Sequence, residues 1–309
     1  MKRLTLLITA CLLCGLAVWA KSNSFAILHH GGEQVLYDGD NLQTVLENAQ
    51  EGDTIFLSEG FFPSVTINKK ITLRGSGQKT HISGPLYIKI ISNDLKLNAA
   101  VAEGMIVDGH LTVECNVDGL QIKHCSFNNG TFNGTLTNVL IDRCQFKNVL
   151  YIPKESDTFI CSYSSIESLK GVSLSDNKAT FINCDVTYGY WDTTAGRFVN
   201  CRLRDYKNSS AIQASLLINT LICSSKISFG GSSTYYNCYK YSDYDNFWLG
   251  ETELLTEGFV GTDGYVVGKW SGNQPYTDCV PLVPKVQKGI VKVSSDQKKL
   301  EVNISMSPN

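Results

Sequence analysis

Leu120-Gln121-Ile122-Lys123-His124-Cys125-Ser126-Phe127 and Val139-Leu140-Ile141-Asp142-Arg143-Cys144-Gln145-Phe146 are two copies of one pattern. Phe181-Ile182-Asn183-Cys184-Asp185-Val186, Phe198-Val199-Asn200-Cys201-Arg202-Leu203 and Tyr235-Tyr236-Asn237-Cys238 repeat it further along. Successive cysteines from Cys125 to Cys238 are 19, 17, 23, 17, 22 and 15 residues apart, and a period near 20 signals a solenoid. In most copies the residues three before and two after the Cys are apolar or aromatic. Cys and +2 share a parity and face one way on a strand, whereas −3 has the opposite parity, so the alternation breaks between them. Position −1 is Asn183, Asn200 or Asn237 in three copies, and Asn tolerates the left-handed backbone that a sharp bend requires. The other two copies carry the polar residues His124 and Arg143 there. The unit is therefore strand, one-residue bend, strand, with both strands pointing side chains inward; Tyr235 takes the inward −3 place.

One such unit cannot bury its own apolar face. Stacking copies about 4.8 Å apart buries a continuous core and completes the backbone ladder. The pattern predicts an all-β fold, a right-handed single-stranded parallel β-helix of about nine coils. Helical i, i+3, i+4 spacing is almost absent after residue 53, and a propeller would want a period about twice as long. The inward cysteines should stack as a buried ladder of small apolar fillers. Disulfides between adjacent coils are the alternative, since the spacing lies inside the allowed range, although stacked side chains run parallel rather than toward each other. A catalytic thiol would need a helix-start or basic setting, and none of these cysteines has one.

The chain begins Met1-Lys2-Arg3, then runs apolar from Leu4 to Trp19 and ends this stretch Val18-Trp19-Ala20. That is the layout of a signal peptide cleaved after Ala20. The run is about 16 residues, short of the roughly 20 that span a bilayer. Ile8-Thr9-Ala10-Cys11 resembles a lipoprotein signal, but the chain stays apolar beyond Cys11. A secreted, periplasmic or envelope location is expected, with no transmembrane segment. Of 11 cysteines, Cys11 and Cys14 leave with the signal, and the nine that remain are an odd number, so at least one thiol is unpaired. Net charge is −2 and charged residues make up 18%, so no basic surface points to nucleic acid.

Leu42, Val45, Leu46 and Ala49 form a short amphipathic helix with Asp40-Asn41 as cap. Such a helix can seal the open apolar end of a solenoid. After residue 250, Gly261-Thr262-Asp263-Gly264 and the prolines Pro275, Pro281 and Pro284 interrupt the repeat. Leu300, Val302, Ile304 and Met306 then alternate, and Ile290 to Val293 offers a partner strand. The expected organisation is a signal peptide at 1–20, an N-terminal segment with capping helix at 21–52, the β-helix at 53–250, and a loop-rich closure with terminal β-hairpin at 251–309.

Leu42 to Gly84 resembles the cap and first coil of the pectin-lyase-like superfamily, and the resemblance continues to about residue 250. It implies a fold rather than a reaction, because this fold hosts lyases, hydrolases, esterases, adhesins and inert spikes. The tail resembles that of secreted β-helix proteins of unknown activity from Bacteroidota. Gly189-Tyr190-Trp191-Asp192-Thr193 is similar to a pectin methylesterase segment, which implies Asp192 as a catalytic general acid. The nucleophilic Asp of that family is missing; Ser225-Lys226-Ile227-Ser228-Phe229-Gly230 carries Lys226 in its place. Without that carboxylate no acyl-enzyme forms. The segment for the substrate-binding Arg survives only as Val267-Gly268-Lys269-Trp270. Pectin-hydrolase carboxylate segments are absent. The one acidic cluster that could suggest a calcium site, Asp243-Tyr244-Asp245-Asn246, reads as a solvated turn. No metal or cofactor is expected.

What remains is a surface of rings and carboxylates. Tyr188, Tyr190, Trp191, Tyr239, Tyr241, Tyr244 and Trp248 are candidate platforms for sugar rings, and Asp205, Asp243 and Asp245 candidate partners for hydroxyls. The expected partner is a polysaccharide or cell-surface glycan. Two other readings stand beside this one. In the first, Asp192 and a second carboxylate act on a uronic-acid polymer, as a lyase or a methylesterase-like enzyme; in the second, the solenoid is a rigid envelope spacer or adhesin.

Overall fold

The structure is a computed structural model. It describes residues 24–89, 97–153, 156–171, 179–189, 196–204, 216–223, 234–241, 251–256, 258–272, 285–293 and 300–307. Most of them form a parallel β-solenoid, an architecture compatible with the pectin-lyase-like superfamily.

Three sides of the solenoid can be followed by register. The first runs from Thr54–Leu57 through Thr72–Arg74 and the starts of Val101–Val113 and Gln121–Phe132. It continues through Val139–Asp142, Phe159–Ser162, Ala179–Ile182, Arg197–Val199, Leu216–Ile218 and Thr234–Tyr236. The second begins at Gly60–Phe62 and ends at Tyr239–Tyr241. The third is described over about seven turns, through the segments that contain Val65, Leu86, Leu111, Gly130, Leu150, Leu169 and Gly189. The later coils show only two described strands each, so about seven turns are described on all three sides, against the nine coils expected.

The bend inferred at position −1 is present. His124, Arg143, Asn183, Asn200 and Asn237 all have φ between 49 and 55°, and Gly104, Tyr163 and Asn219 occupy the same place in other coils. The strand before the bend buries Ala102, Ile122, Ile141, Cys161, Phe181, Phe198 and Leu217 in one column. Phe181 and Phe198 stack with ring centroids 4.9 Å apart and planes within 10°, close to the inter-strand repeat itself. Tyr235 continues this column in register with Leu217 but is 52% exposed, at its last described rung.

The cysteine ladder needs correction. Cys125, Cys144, Cys184, Cys201 and Cys238 follow the bend and share one column, but Cys161 lies in the column before the bend, in register with Phe181. Cys223 lies further along its strand, in register with Arg204. Ser164 and Thr220 fill the two vacated places, each directly after a bend residue. Numbered through them, the column 125, 144, 164, 184, 201, 220, 238 steps by 19, 20, 20, 17, 19 and 18 residues, more regular than the cysteine spacings. Cys, Ser and Thr share a donor hydrogen. Each donates to the carbonyl two residues back, across the bend: Cys125 to Lys123 at 3.1 Å, Ser164 to Ser162 at 2.7 Å, Cys201 to Val199 at 3.3 Å, Thr220 to Ile218 at 2.9 Å. The column selects small donors as well as small volume. All eight described cysteines are free thiols. Burial raises Cys125 to about 12, and it also pushes Cys161 and Cys201 up.

At the N-terminal end the helix Leu42–Asn48 buries Leu42, Val45 and Leu46, as its apolar spacing predicts. Its cap differs: Asn41 makes no side-chain capping bond. Instead Asp38 accepts from the Asp40 N–H at 3.2 Å and opens a 3-10 turn, Gly39–Asn41. Phe25–His30 pairs antiparallel with both Glu33–Asp38 and the first rung Thr54–Leu57, a hairpin the sequence pattern did not reveal. At the other end Lys285–Val293 and Leu300–Ser307 form the expected antiparallel hairpin. A short helix, Glu251–Thr256, interrupts the stretch expected to be loop. Among the described residues no helix is long and apolar enough to cross a membrane.

Candidate functional site

Most of the residues singled out from the sequence lie outside the described residues: Asp192, Tyr190, Trp191, Asp205, Asp243, Tyr244, Asp245 and Trp248. Tyr188 and Tyr241 are placed by their strands, Asp185–Gly189 and Tyr239–Tyr241, though not by their side chains. Tyr239 is described in full. Its ring lies 4.9 Å from that of Phe259, and its hydroxyl donates to the Val260 carbonyl at 3.2 Å. It seats the segment 258–272 on the solenoid.

That segment is a strap laid along the side of the later coils. Asn183, Asn200 and Asn219 stack, with Asn200 donating to Asn183 at 3.4 Å and Asn219 to Asn200 at 3.3 Å. The strap completes both ends of this row. Asn183 donates to the Ser271 carbonyl at 2.7 Å, and Asn219 accepts from the Thr262 N–H at 3.2 Å. Under the strap lies a buried charged group. Asp185 accepts from Arg202, through Nε at 3.0 Å and also through Nη2, from Arg204 at 3.2 Å, and from Lys269 of the strap at 3.2 Å. Burial raises the Asp185 pKa, but the Arg202 hydrogen bond and the charges of Arg202, Arg204 and Lys269 outweigh it, and the carboxyl is held low. Lys269 is pushed down by burial and by the two guanidiniums, against the pull of Asp185. Trp270 covers Arg202, its ring 5.0 Å from the guanidinium. Lys269-Trp270, which resembled part of a substrate site, thus serves as a fastening here.

The earlier coils carry a different arrangement, exposed and uncovered by the strap. On the outward face of the second side Phe61, His81 and Ile106 are in register on three successive coils. Phe61 is 56% exposed, and its ring lies 5.0 Å from that of His81. Beside this row the strands bulge. The register shifts between Val107 and His110, and again between Phe127 and Gly130. A bulge changes which side chains sit together: the extra residue falls at 108–109 in the first shift and at 147–149 in the second, and bonds between coils bring Asp108, His110, Asn128 and Asn129 to one flank.

Gly109 makes the first bulge possible. A Cβ there would come within 2.6 Å of the Gly84 carbonyl carbon, backbone of the coil beneath. The flank is orderly. Asn129 accepts from the Val149 N–H at 3.1 Å, which points its amide nitrogen at His110 Nδ1, 2.8 Å away. His110 Nδ1 is then an acceptor, and its Nε2 carries the proton. His81 Nδ1 faces Asp108 at 3.4 Å, so in the neutral ring Nδ1 carries the proton and Nε2 accepts. Asn128 donates to the Asp108 carbonyl. Among the described residues neither Nε2 has a protein partner.

The result is an apolar strip of two rings and an Ile, about 10 Å long at the inter-coil repeat. Beside it stand a ring donor, a ring acceptor, a carboxylate and two amides. Rings with fixed polar groups alongside bind amphipathic ligands by face and by hydroxyl. No metal cluster of three or more His, Cys, Asp or Glu occurs among the described residues.

The sequence pattern did not single out these residues, because cross-coil neighbours are distant along the chain. His81 is 20 residues from Phe61, and Asp108 is 27 from His81. The available signal was the 20-residue step from Asp108 to Asn128 and the 19-residue step from His110 to Asn129. Compared with family models, curated proteins and solved structures, the chain has no match.

Proposed function

We propose that this is an exported β-helix protein that binds polysaccharide along the row Phe61, His81, Ile106 and its flank Asp108, His110, Asn128 and Asn129. The N-terminal apolar run supports export, the resemblance of the cap and repeats supports kinship with the pectin-lyase-like superfamily, and that of the tail supports kinship with its secreted Bacteroidota members. The observation that carries the reading is the exposed ring of Phe61 beside His81, aligned with the bulged polar flank on a rigid scaffold. A sugar presents an apolar face ringed by hydroxyls, and this row offers both counterparts. Tyr188, Tyr190, Trp191, Tyr241, Tyr244 and Trp248, with Asp205, Asp243 and Asp245, are further candidate contacts for the same ligand.

The test is binding of the exported chain to a glycan array, followed by the variant Phe61→Ala. Losing a ring–sugar contact of about 1–1.5 kcal/mol should weaken retention about tenfold, with only a small shift of the circular-dichroism melt because Phe61 is largely exposed. Equal retention of the variant would sink the assignment of this face.

A further inference from the structure

Given a glycan-binding role at this row, we infer that the ligand class is a neutral polysaccharide rather than a polymer of uronic acids. The reason is where the protein keeps its positive charge. A polyuronate carries one carboxylate per sugar and is recognised by cations, above all by guanidinium forks that match a carboxylate. Around the exposed row the charges are mixed. Asp108 stands in the flank, and Glu59 and Lys79 pair with each other at 3.0 Å. The two histidines are held by Asp108 and Asn129 through Nδ1. No arginine lies in the row or its bulged flank.

Of the described arginines, Arg74 pairs with Glu103, Arg143 with Asp142, and Arg202 and Arg204 with Asp185, while Arg197 is exposed on a later coil, away from the row. Arg202 and Arg204 are 6% and 7% exposed, both bonded to Asp185 and overlaid by the strap. An incoming uronate at the row would meet Asp108 as a like charge with no guanidinium to offset it. A neutral sugar meets no such cost: its hydroxyls can accept from His110 Nε2–H and donate to His81 Nε2 and to Asp108. Its face can lie on Phe61.

Affinity electrophoresis of the full exported chain separates the possibilities, with gels containing galactomannan, xyloglucan or mixed-linkage glucan set against gels containing polygalacturonate or alginate. We expect retardation by at least one neutral polymer. It should change less than twofold between 20 mM and 300 mM salt, because screening acts only on charge pairs, and Phe61→Ala and His110→Ala should each abolish most of it. Retardation by polygalacturonate or alginate alone, lost in Phe61→Ala and falling steeply with salt, would overturn the neutral-ligand inference and leave the glycan-binding reading standing. No retardation by any polymer, or retardation indifferent to both variants, would overturn the two together.

Discussion

The Lys269 ammonium lies 3.2 Å from the Asp185 carboxylate although 84 residues separate them in the chain. This contact fastens a strap to the side of the solenoid, and Asp185 is its centre, since Arg202 and Arg204 bond to the same carboxylate.

Asp185→Asn should therefore be costly. Removing one partner of a buried ion pair leaves uncompensated charge, typically at about 3–5 kcal/mol, here with three cations left facing an amide. Urea unfolding should show that loss, and limited proteolysis should cut the variant faster within 258–272. An unchanged midpoint would show that the strap is held by its asparagine contacts alone. The pH dependence has a definite sign. Asp185 is held below its ordinary value, so its contribution is fully present above the unfolded value of about 3.9 and is lost as pH falls below it. The wild-type melting temperature should drop through that window, and Asp185→Asn should flatten the drop. A residual slope is expected from Asp53, whose carboxyl burial raises but the Gln50 N–H and His30 lower further.

The column after the bend separates volume from chemistry. Cys144 donates to the Asp142 carbonyl at 3.4 Å and to Ile122 of the coil beneath at 3.5 Å. Cys144→Ser keeps a donor and should stay within about 1 kcal/mol of wild type, whereas Cys144→Val leaves a carbonyl unmet and should cost about 1–3 kcal/mol. Denaturant melts of the two would decide; equal cost in both would mean that the thiol is mere filling. Thiol titration should find the described cysteines free after denaturation without reductant, and slow to react in the native state.

Asn219 joins a bend to the strap, so two costs should add in Asn219→Val. A β-branched residue is strained at φ 47°, and the Thr262 N–H loses its acceptor. A loss of about 2–4 kcal/mol is expected, against about half that for Asn237→Val, whose side chain makes no hydrogen bond to the strap among the described residues. Chemical denaturation of the pair gives the comparison.

Solenoid, bend and capping helix were legible in the sequence because each has a local cause. Asn at −1 marks the left-handed bend wherever it occurs, and apolar residues at 42, 45 and 46 mark one helix face. The register of the column was misread where identity stood in for chemistry: Cys161 and Cys223 look like members, while Ser164 and Thr220 do the work of members. The exposed row was illegible for another reason. Phe61, His81 and Asp108 become neighbours only through stacking, and the coil between His81 and Asp108 is longer than its fellows, so no fixed period links them. The aromatic residues near the C-terminal end drew attention through local density, but Tyr239 spends its ring and hydroxyl on the strap.

The strap also measures. Thr262 meets the third asparagine of the row and Ser271 the first, so nine residues of chain are matched to two inter-coil steps. A coil duplicated or deleted between Asn183 and Asn219 would carry Lys269 about 5 Å out of reach of Asp185. Descendants of this gene are therefore free to change length by whole repeats between Asn129 and Asn183, but over the three coils beneath the strap their repeat number is fixed.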